Sequence, residues 1–418
     1  MKAGKQFSLI LSCTLFSLLT ACGGGSDDDN DDDAPELSRQ AQAGRLVFND
    51  TSLSDPTNTP AGGGQGCVSC HDPALAYTDP STVNRDIGVS PAVDPSILGI
   101  RNTPTIPYGI FAPPFSFTAT GAVGGIVHDG RFINLEAQAA GPPLNQREMM
   151  NDTRAAYLLR IKQSTIYPEL RRLLGANLFD SFDNNDDDTS PAVNTAYITL
   201  ANAVAAFERE DASFQLFNSK FDASLNGRAQ LTADEQAGLN LFNTHCASCH
   251  PSTRPDQSLV NPPTPPLFTD FTYHALGVPR NAKIPDNADP AFFDLGLCGP
   301  ERADAATVRD QRPELCGAFK VPTLRNIAVT APYFHNGFFA TLEEVVEFYA
   351  TREVTPERWY VDGVKYNDLT EQYRGNVNNT DVPFALQTST GQRAFSPAEA
   401  AQIVAFLRTL TDAHLATP

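Results

Sequence analysis

Basic residues are scarce in this chain of 418 residues, which has 30 lysines and arginines against 49 aspartates and glutamates. The formal net charge of −19 argues against nucleic acid or an anionic membrane surface as a partner, because both would repel the protein. A basic protein partner fits this charge, and so does an acidic surface that only aids solubility. The net charge therefore argues against nucleic acid and anionic membranes as partners, but it does not indicate a particular function.

Strand patterns and thioether side chains are also scarce. No long alternation of apolar and polar residues appears, which predicts a mainly α fold with long ordered loops and little strand. The chain has three methionines. Met1 would be removed with an N-terminal signal peptide. Any thioether that binds a metal must therefore come from the adjacent Met149 or Met150.

Long apolar runs are limited to Phe7–Leu19, which follows Lys2 and Lys5 and predicts a signal peptide over residues 1–21. The residues Leu19-Thr20-Ala21-Cys22 resemble the lipobox of bacterial lipoproteins. That resemblance implies acylation at Cys22, which would be the protein's one link to a membrane. Gly23 after it favours the outer membrane, with the protein facing the periplasm. An ordinary signal peptide that ends at a cysteine is the alternative.

Residues 22–36 are rich in glycine and aspartate and predict a flexible tether. The rest of the chain divides into an N-terminal domain at 37–225 and a C-terminal domain at 226–418. A helix is expected from residue 152 to 174, and another from Ser190-Pro191 to about Glu210. Capping boxes that predict helix starts occur at Thr232/Glu235, Thr341/Glu344 and Ser396/Glu399.

Two copies of one short pattern organise both domains. They are Cys67-Val68-Ser69-Cys70-His71 and Cys246-Ala247-Ser248-Cys249-His250. The spacing Cys-x-x-Cys-His is typical of c-type haem attachment, in which two thiols bind the porphyrin and the histidine binds the iron. A redox disulfide or half of a zinc site are the alternatives, but zinc would need cysteine and histidine pairs that lie far apart in sequence.

Cys298 and Cys316 stay outside these motifs and are expected to form a disulfide in an oxidising compartment, with two free thiols as the alternative. Both methionines of the mature chain lie far from the second motif, so a Met-ligated second haem is hard to build. His245 and His414 are expected to be exposed.

Several longer segments resemble the bacterial di-haem cytochrome c peroxidases and their relative MauG. The resemblance is carried by AFKVPTLRNIAVTAPYFHNGFFATLEEVVEFY at 318–349, by VHDGRFINLEAQAAGPPLNQREM at 127–149, and by the segments at 101–104 and 271–279. It covers residues 37–412. It implies two cytochrome c-like haem domains, the first reacting with hydrogen peroxide and the second transferring electrons.

The resemblance also implies site residues in the first domain. Glu148 matches the carboxylate that moves a proton between the two peroxide oxygens, and Gln138 and Pro142 match pocket positions. A surface carboxylate at a helix end is the alternative for Glu148. Residues 85–104 lack the histidine that caps the resting N-terminal haem in classical members, so this iron is expected to be open. His128 replaces a tryptophan between the haems and could hold a propionate, cap an iron, relay charge or be structural.

In the second domain, Tyr349 takes the position of the distal methionine of classical members and matches a tyrosine that binds iron in MauG. Its spacing from Leu342, Val345 and Val346 places it on the apolar face of a helix. An ordinary core tyrosine is the alternative. His335 matches a histidine near the haem propionates, whereas the matching position of His274 has no assigned role.

The resemblance implies a calcium ion between the haems as well, held by Asn102 and by the main-chain oxygens of Thr330 and Pro332. We therefore expect an oxidoreductase that takes electrons from a small periplasmic donor, such as a cytochrome c or a cupredoxin, or from a protein substrate. The rivals are a non-catalytic di-haem electron-transfer cytochrome and a structural or sensor haem protein.

Overall fold

A computed structural model describes residues 36–54, 63–255 and 264–416. The predicted signal peptide, the predicted acylation site Cys22 and almost all of the predicted tether lie outside these residues. From Leu37 onward the chain forms one compact unit. The α-helices of the described residues are α1 Arg39–Asn49, α2 Cys67–Cys70, α3 Thr82–Ile87, α4 Leu135–Ala139, α5 Arg154–Gln163, α6 Tyr167–Leu174, α7 Ala176–Asp180, α8 Pro191–Glu210, α9 Lys220–Leu225, α10 Ala233–His245, α11 Ala305–Gln311, α12 Leu342–Thr351, α13 Pro356–Trp359, α14 Phe384–Thr390 and α15 Pro397–Arg408.

Strand is confined to two short antiparallel pairs in the described residues. These strands are β1 Ser116–Phe117, β2 Ala122–Val123, β3 Tyr273–His274 and β4 Phe319–Lys320. Ser116 pairs with Val123 in the first sheet, and Tyr273 pairs with Lys320 in the second. The predicted mainly α fold with long loops and little strand is confirmed.

Local signals place most helix boundaries. All three predicted capping boxes form, at the starts of α10, α12 and α15. The expectation of a continuous helix from residue 152 to 174 is wrong, because α5 ends at Gln163 and α6 begins at Tyr167. The Ser164 hydroxyl donates a hydrogen bond to the Ile161 carbonyl at 2.8 Å, which satisfies a carbonyl at the end of α5.

Each half of the chain is built on a pair of closely packed helices. In the first half α1 packs on α8, and Gly44 lies so close to the Ala203 carbonyl that a Cβ would overlap it. In the second half α10 packs on α15, and Gly238 meets the Gln402 carbonyl in the same way. The two haem motifs are therefore presented by two similar helix pairs.

A separate apolar cluster accompanies each helix pair. The first contains Phe48, Leu158, Leu170, Phe179, Leu200, Phe207 and Phe214. The second contains Phe221, Phe242, Phe268, Phe348, Ile403, Phe406 and Leu410. Phe221 belongs by sequence to the predicted first domain but packs in the second cluster. The division of the chain between residues 225 and 226 stays a prediction.

Buried ion pairs link segments from both halves. The Arg101 guanidinium contacts Asp129 at 2.6 Å and Asp294 at 2.6 Å, and all three side chains are almost fully buried. Arg325 pairs with Asp222 at 2.9 Å, with both side chains equally inaccessible to solvent. These contacts hold the loops that surround the haem motifs.

The disulfide predicted between Cys298 and Cys316 is present and both residues are buried. It joins the two segments on either side of α11. Across 36–54, 63–255 and 264–416, no helix has both the length and the apolar character needed to cross a membrane.

Candidate active site

Both Cys-x-x-Cys-His motifs line one cavity of about 490 Å³. Loops from the first half form one part of its wall, and α12 and the loop before α14 form another. The four motif cysteines are free thiols, and each is partly accessible within this cavity. A cavity that exposes two thiol pairs and two imidazoles has the donor set that two c-type haems require.

His71 follows α2 and is held by its own loop. Its Nδ1 lies 2.8 Å from the Tyr77 carbonyl oxygen. A carbonyl can only accept, so Nδ1 carries the proton and Nε2 keeps its lone pair. A hydrogen bond of this kind is the usual orienting contact of an imidazole that binds a metal. His71 is thus oriented to ligate an iron through Nε2.

His250 repeats this arrangement in the second half. Its Nδ1 lies 2.7 Å from the Phe268 carbonyl oxygen, which fixes the same tautomer. Burial lowers the pKa of the His250 imidazole, as it lowers the pKa of His71. Both imidazoles are therefore neutral at neutral pH, and the residues present fit two covalently attached haems.

Glu148 lies on the wall of the same cavity, in the loop before α5. Its Oε1 accepts a hydrogen bond from Asn145 Nδ2 at 2.7 Å, and its main-chain carbonyl accepts one from Val93 at 2.9 Å. Burial raises the pKa of the Glu148 carboxyl, against the opposing charge of Arg131 and the Asn145 bond. The structure places Gln138 of α4 and Pro142 on the same cavity wall.

Tyr349 of α12 faces the cavity near the second motif. Its ring stacks on Phe384 with centroids 5.5 Å apart and on Phe334 with centroids 6.1 Å apart. Burial raises the pKa of the phenol, and the nearby Cys249 and Cys246 add to this effect. No hydrogen bond to its hydroxyl oxygen occurs in the part of the chain that the structure describes. The phenol is therefore free for a ligand in the cavity.

Two further predicted histidines lie between the motifs. His128 Nε2 donates to the Asn102 carbonyl oxygen at 2.8 Å, and burial lowers the pKa of His128 to about 3. His335 Nε2 lies 3.2 Å from Asp368, and its ring stacks on Phe319 with centroids 3.6 Å apart. His128 is thus a neutral hydrogen-bonded residue in this structure, which fits the structural role among those considered.

Two of the three predicted calcium residues are in contact. Asn102 Nδ2 donates to the Pro332 carbonyl oxygen at 2.6 Å, although 230 residues separate them. Thr330 also lines the cavity and is buried. The Asn102 Oδ1 atom is buried and has no hydrogen-bond partner among the described residues. An unpaired buried oxygen beside a carbonyl is the kind of donor that a calcium ion uses.

The structure contradicts the expected exposure of His245 and shows the contacts of His274. The expectation that His245 is exposed is wrong, because it is 7% exposed and its ring packs 5.1 Å from the Phe395 ring. His414 is exposed, as predicted. His274 Nε2 lies 3.6 Å from Cys249 Sγ and 3.1 Å from Thr272 Oγ1.

Sequence reasoning missed one carboxyl in this cavity. Glu208 near the end of α8 is 6% exposed and lines the cavity beside Cys67 and Val204. A signal was present, because Glu208 follows Ala201 and Val204 at spacings of seven and four on the buried face of the helix.

Comparisons with known proteins agree with this arrangement. Residues 38–230 match the family model described as di-haem cytochrome c peroxidase. The methylamine utilization protein MauG of Paracoccus denitrificans is 32% identical over 384 residues, which span 89% of this chain and 88% of that protein. The cytochrome c551 peroxidase of Nitrosomonas europaea is 29% identical over 315 residues, 75% of this chain and 73% of that protein.

A solved structure is similar over a comparable length. The diheme peroxidase BthA from Burkholderia thailandensis E264 has 34% sequence identity and a TM-score of 0.78. The match covers 90% of this chain and 87% of that one. The similarity therefore includes both haem motifs and the loops between them.

Proposed function

This chain belongs to the di-haem cytochrome c peroxidase and MauG family, and from that membership we propose that peroxide reacts in the His71 pocket with Glu148 as proton carrier. The protein is a di-haem oxidoreductase with two c-type haems, one for each Cys-x-x-Cys-His motif. Cys67, Cys70 and His71 would hold the first haem, and Cys246, Cys249 and His250 the second. A haem in the first pocket supplies the iron and the electrons for cleaving the O–O bond.

Glu148 is the residue that carries this proposal. Asn145 fixes Oε1 of its carboxyl, which leaves Oε2 to exchange a proton. The pKa of Glu148 lies above that of an exposed glutamate, so the group can take a proton from one peroxide oxygen and return it to the other. Gln138 and Pro142 would shape the space in which peroxide lies, and His128 would support the loop between the haems.

The second site would serve to store and pass on electrons. His250 and Tyr349 line the same cavity, and the charges of Cys249 and Cys246 act on the Tyr349 phenol. We assign Tyr349 as the second protein ligand of that iron. An anionic oxygen donor stabilises oxidised iron. His335, held by Asp368 and stacked on Phe319, would contact the haem propionates.

A calcium ion would bind between the haems at Asn102, Thr330 and Pro332. The unpaired Oδ1 of Asn102 supports this site, and waters would complete the coordination shell. Equilibration with a chelator should remove the ion and lower the melting temperature of the holoprotein. An unchanged melting temperature together with no calcium in elemental analysis would contradict the site.

The electron donor is inferred from the family, and the cellular location is inferred from the predicted signal peptide. Electrons would come from a small periplasmic redox protein or from an aromatic side chain of a protein substrate. The chain would face the periplasm as a lipoprotein anchored at Cys22 to the outer membrane. The missing distal methionine and capping histidine favour MauG-like protein oxidation over simple peroxide removal. Rapid steady-state turnover of reduced cytochrome c with peroxide would contradict the MauG-like branch.

The Glu148→Gln variant tests the proposal directly. Gln keeps the size and the hydrogen bond to Asn145 but cannot carry a proton, so the stopped-flow rate of the peroxide reaction should fall by about 10²- to 10⁴-fold. The exposed Glu169→Gln variant is the control and should react like wild type. Equal haem content in all three proteins shows that folding is intact. A near-normal rate in Glu148→Gln would remove Glu148 from the mechanism.

Electron paramagnetic resonance separates the enzyme from an electron-transfer cytochrome. An open first iron beside a closed second iron gives one high-spin and one low-spin ferric signal. Two low-spin signals together with no response to peroxide would support the carrier instead.

A further inference from the structure

Peroxide reduction consumes protons that Glu148 cannot supply by itself. Each H₂O₂ takes two electrons from the donor and two protons from solvent, its O–O bond breaks, and two waters form. Glu148 only moves a proton from one oxygen to the other, so its net contribution to this balance is zero. Two protons per turnover must therefore cross the protein to the buried pocket.

Glu208 is a buried carboxyl that the proposed mechanism leaves unused. It is 6% exposed, it lines the cavity beside Cys67, and its carboxylate has no hydrogen bond or ion pair within the described ranges. Buried carboxyl groups are normally paired or hydrogen-bonded, because an isolated charge is costly in a dry interior. An unpaired one that faces a reaction cavity is a candidate for a functional proton site.

Glu136 of α4 is partly exposed and lies near enough to Glu208 for its charge to act on that carboxyl. Its Oε1 is paired with the exposed Arg209 guanidinium at 2.6 Å, whereas its Oε2 is buried and has no partner in the described part of the chain. α4 packs on α8, and the Glu136 charge acts on the Glu208 carboxyl. One carboxyl thus contacts solvent, and the next one faces the cavity.

We propose that Glu136, on the helix that also carries Gln138, and Glu208 on α8 form the relay through which solvent protons enter the peroxide pocket. This inference rests on the proposed function and adds the proton supply to it. Glu136 takes a proton at the surface and passes it inward to Glu208, which releases it into the cavity. No covalent bond other than O–H forms or breaks along the relay.

The charges around Glu208 agree with a group that exchanges protons near neutral pH. Burial raises the pKa of Glu208 to about 8, Arg209 on the same helix lowers it, and Glu136 from α4 raises it. The phenol of Tyr77 also interacts with this carboxyl, whereas Cys67 would be a thioether in the holoprotein and would not titrate. At pH 7 Glu208 is mostly protonated, so it can donate.

The decisive variant is Glu208→Gln, which keeps shape and removes the proton. Its kcat with peroxide and an excess of artificial electron donor should fall about tenfold at pH 8 with little change in KM, and its solvent deuterium isotope effect should increase. Glu208→Asp should recover part of the rate, and Glu136→Gln should show a smaller loss of the same kind. Glu210→Gln on the same helix faces solvent and should match wild type.

Infrared spectroscopy of the holoprotein gives a readout that does not depend on turnover. At pH 7 the wild type should show the C=O band of a protonated buried carboxyl that shifts in D₂O, and Glu208→Gln should lack it. Glu208→Gln with the kcat, pH profile and infrared band of wild type would overturn the relay alone. A wild type without peroxide turnover would overturn the proposed function, and with it the purpose of the relay.

Discussion

At the scale of single residues, the hydrogen bond from Asn145 sets the acidity of Glu148. This bond stabilises the carboxylate and so lowers a pKa that burial raises. If Glu148 accepts the first proton as proposed, it must be deprotonated beforehand, so the peroxide reaction should slow as pH falls through its pKa. Asn145→Ala removes the stabilising bond, and the acid limb should move to higher pH.

Stopped-flow rates measured from pH 5 to 8 check this shift. The exposed Asn49→Ala, which removes a surface hydrogen bond to Arg45, is the control and should leave the profile unchanged. An acid limb that moves to lower pH in Asn145→Ala would contradict the assignment of Glu148 as the titrating group.

The hydroxyl of Tyr349 can be tested apart from its ring. Tyr349→Phe keeps the stacking on Phe334 and Phe384 but deletes the oxygen. If the phenol binds the second iron, the low-spin ferric signal should change while thermal stability shifts by less than about 1 kcal/mol. Tyr373→Phe, a half-buried tyrosine elsewhere in the second half, is the control. An unchanged ferric spectrum in Tyr349→Phe would restore the interpretation as a core tyrosine.

At the scale of elements, the glycines in the two helix pairs allow the helices to touch. Ala is normally favoured over Gly in a helix by about 1 kcal/mol. At Gly44 and Gly238 the added methyl would overlap a carbonyl of the partner helix, and this overpacking should cost about 1 to 3 kcal/mol. Gly44→Ala and Gly238→Ala should therefore lower the free energy of unfolding.

Denaturant unfolding measures this effect. Gly375 has no atom within 4 Å of an added Cβ, so Gly375→Ala should be neutral or slightly stabilising. Stabilisation by Gly44→Ala would show that the helices are not held this closely in solution.

Helix boundaries could be predicted from the sequence where the signal lies in neighbouring residues. The capping boxes fixed the starts of α10, α12 and α15, because each bond joins residues three apart. The break between α5 and α6 had a local signal that was overlooked, because Pro168 would disrupt a continuous helix from 152 to 174 but fits the first turn of a new one. The inward direction of Tyr349 followed from helical spacing, whereas its stacking on Phe384 depends on a distant segment.

Distant contacts also explain the residues that were misjudged or missed. His245 is covered by Phe395, about 150 residues later in the chain, and no local pattern encodes that packing. The approach of Asn102 to Pro332 was implied by family resemblance and not by spacing. Glu208 had a helical signal, but its contact with α4 required the fold.

At the scale of the whole molecule, Arg101 neutralises two buried carboxylates from different halves of the chain. Removing it leaves Asp129 and Asp294 without this partner, so Arg101→Ala should cost about 3 to 5 kcal/mol of stability. Arg408→Ala breaks an exposed pair with Glu343 and should cost less than about 1 kcal/mol. Urea unfolding of the holoproteins measures both losses of stability. Equal losses for the two variants would contradict a stabilising role of the buried Arg101 network.

The same network predicts the response to acid. The Arg101 charge, with Arg131, lowers the pKa of Asp129 to about 2. A depressed carboxyl pKa contributes stability that is fully present above the unfolded value near pH 4 and is lost as pH falls toward 2. Arg101→Ala should therefore unfold at a higher pH than wild type, as circular dichroism during acid titration would show.

The shared cavity has a consequence for biogenesis. Its walls come from segments between residues 48 and 407, so closing it requires nearly the whole polypeptide. Both thiol pairs line this cavity. We therefore expect both porphyrins to be attached while the polypeptide is still open, so that cofactor loading comes before the final collapse of the fold.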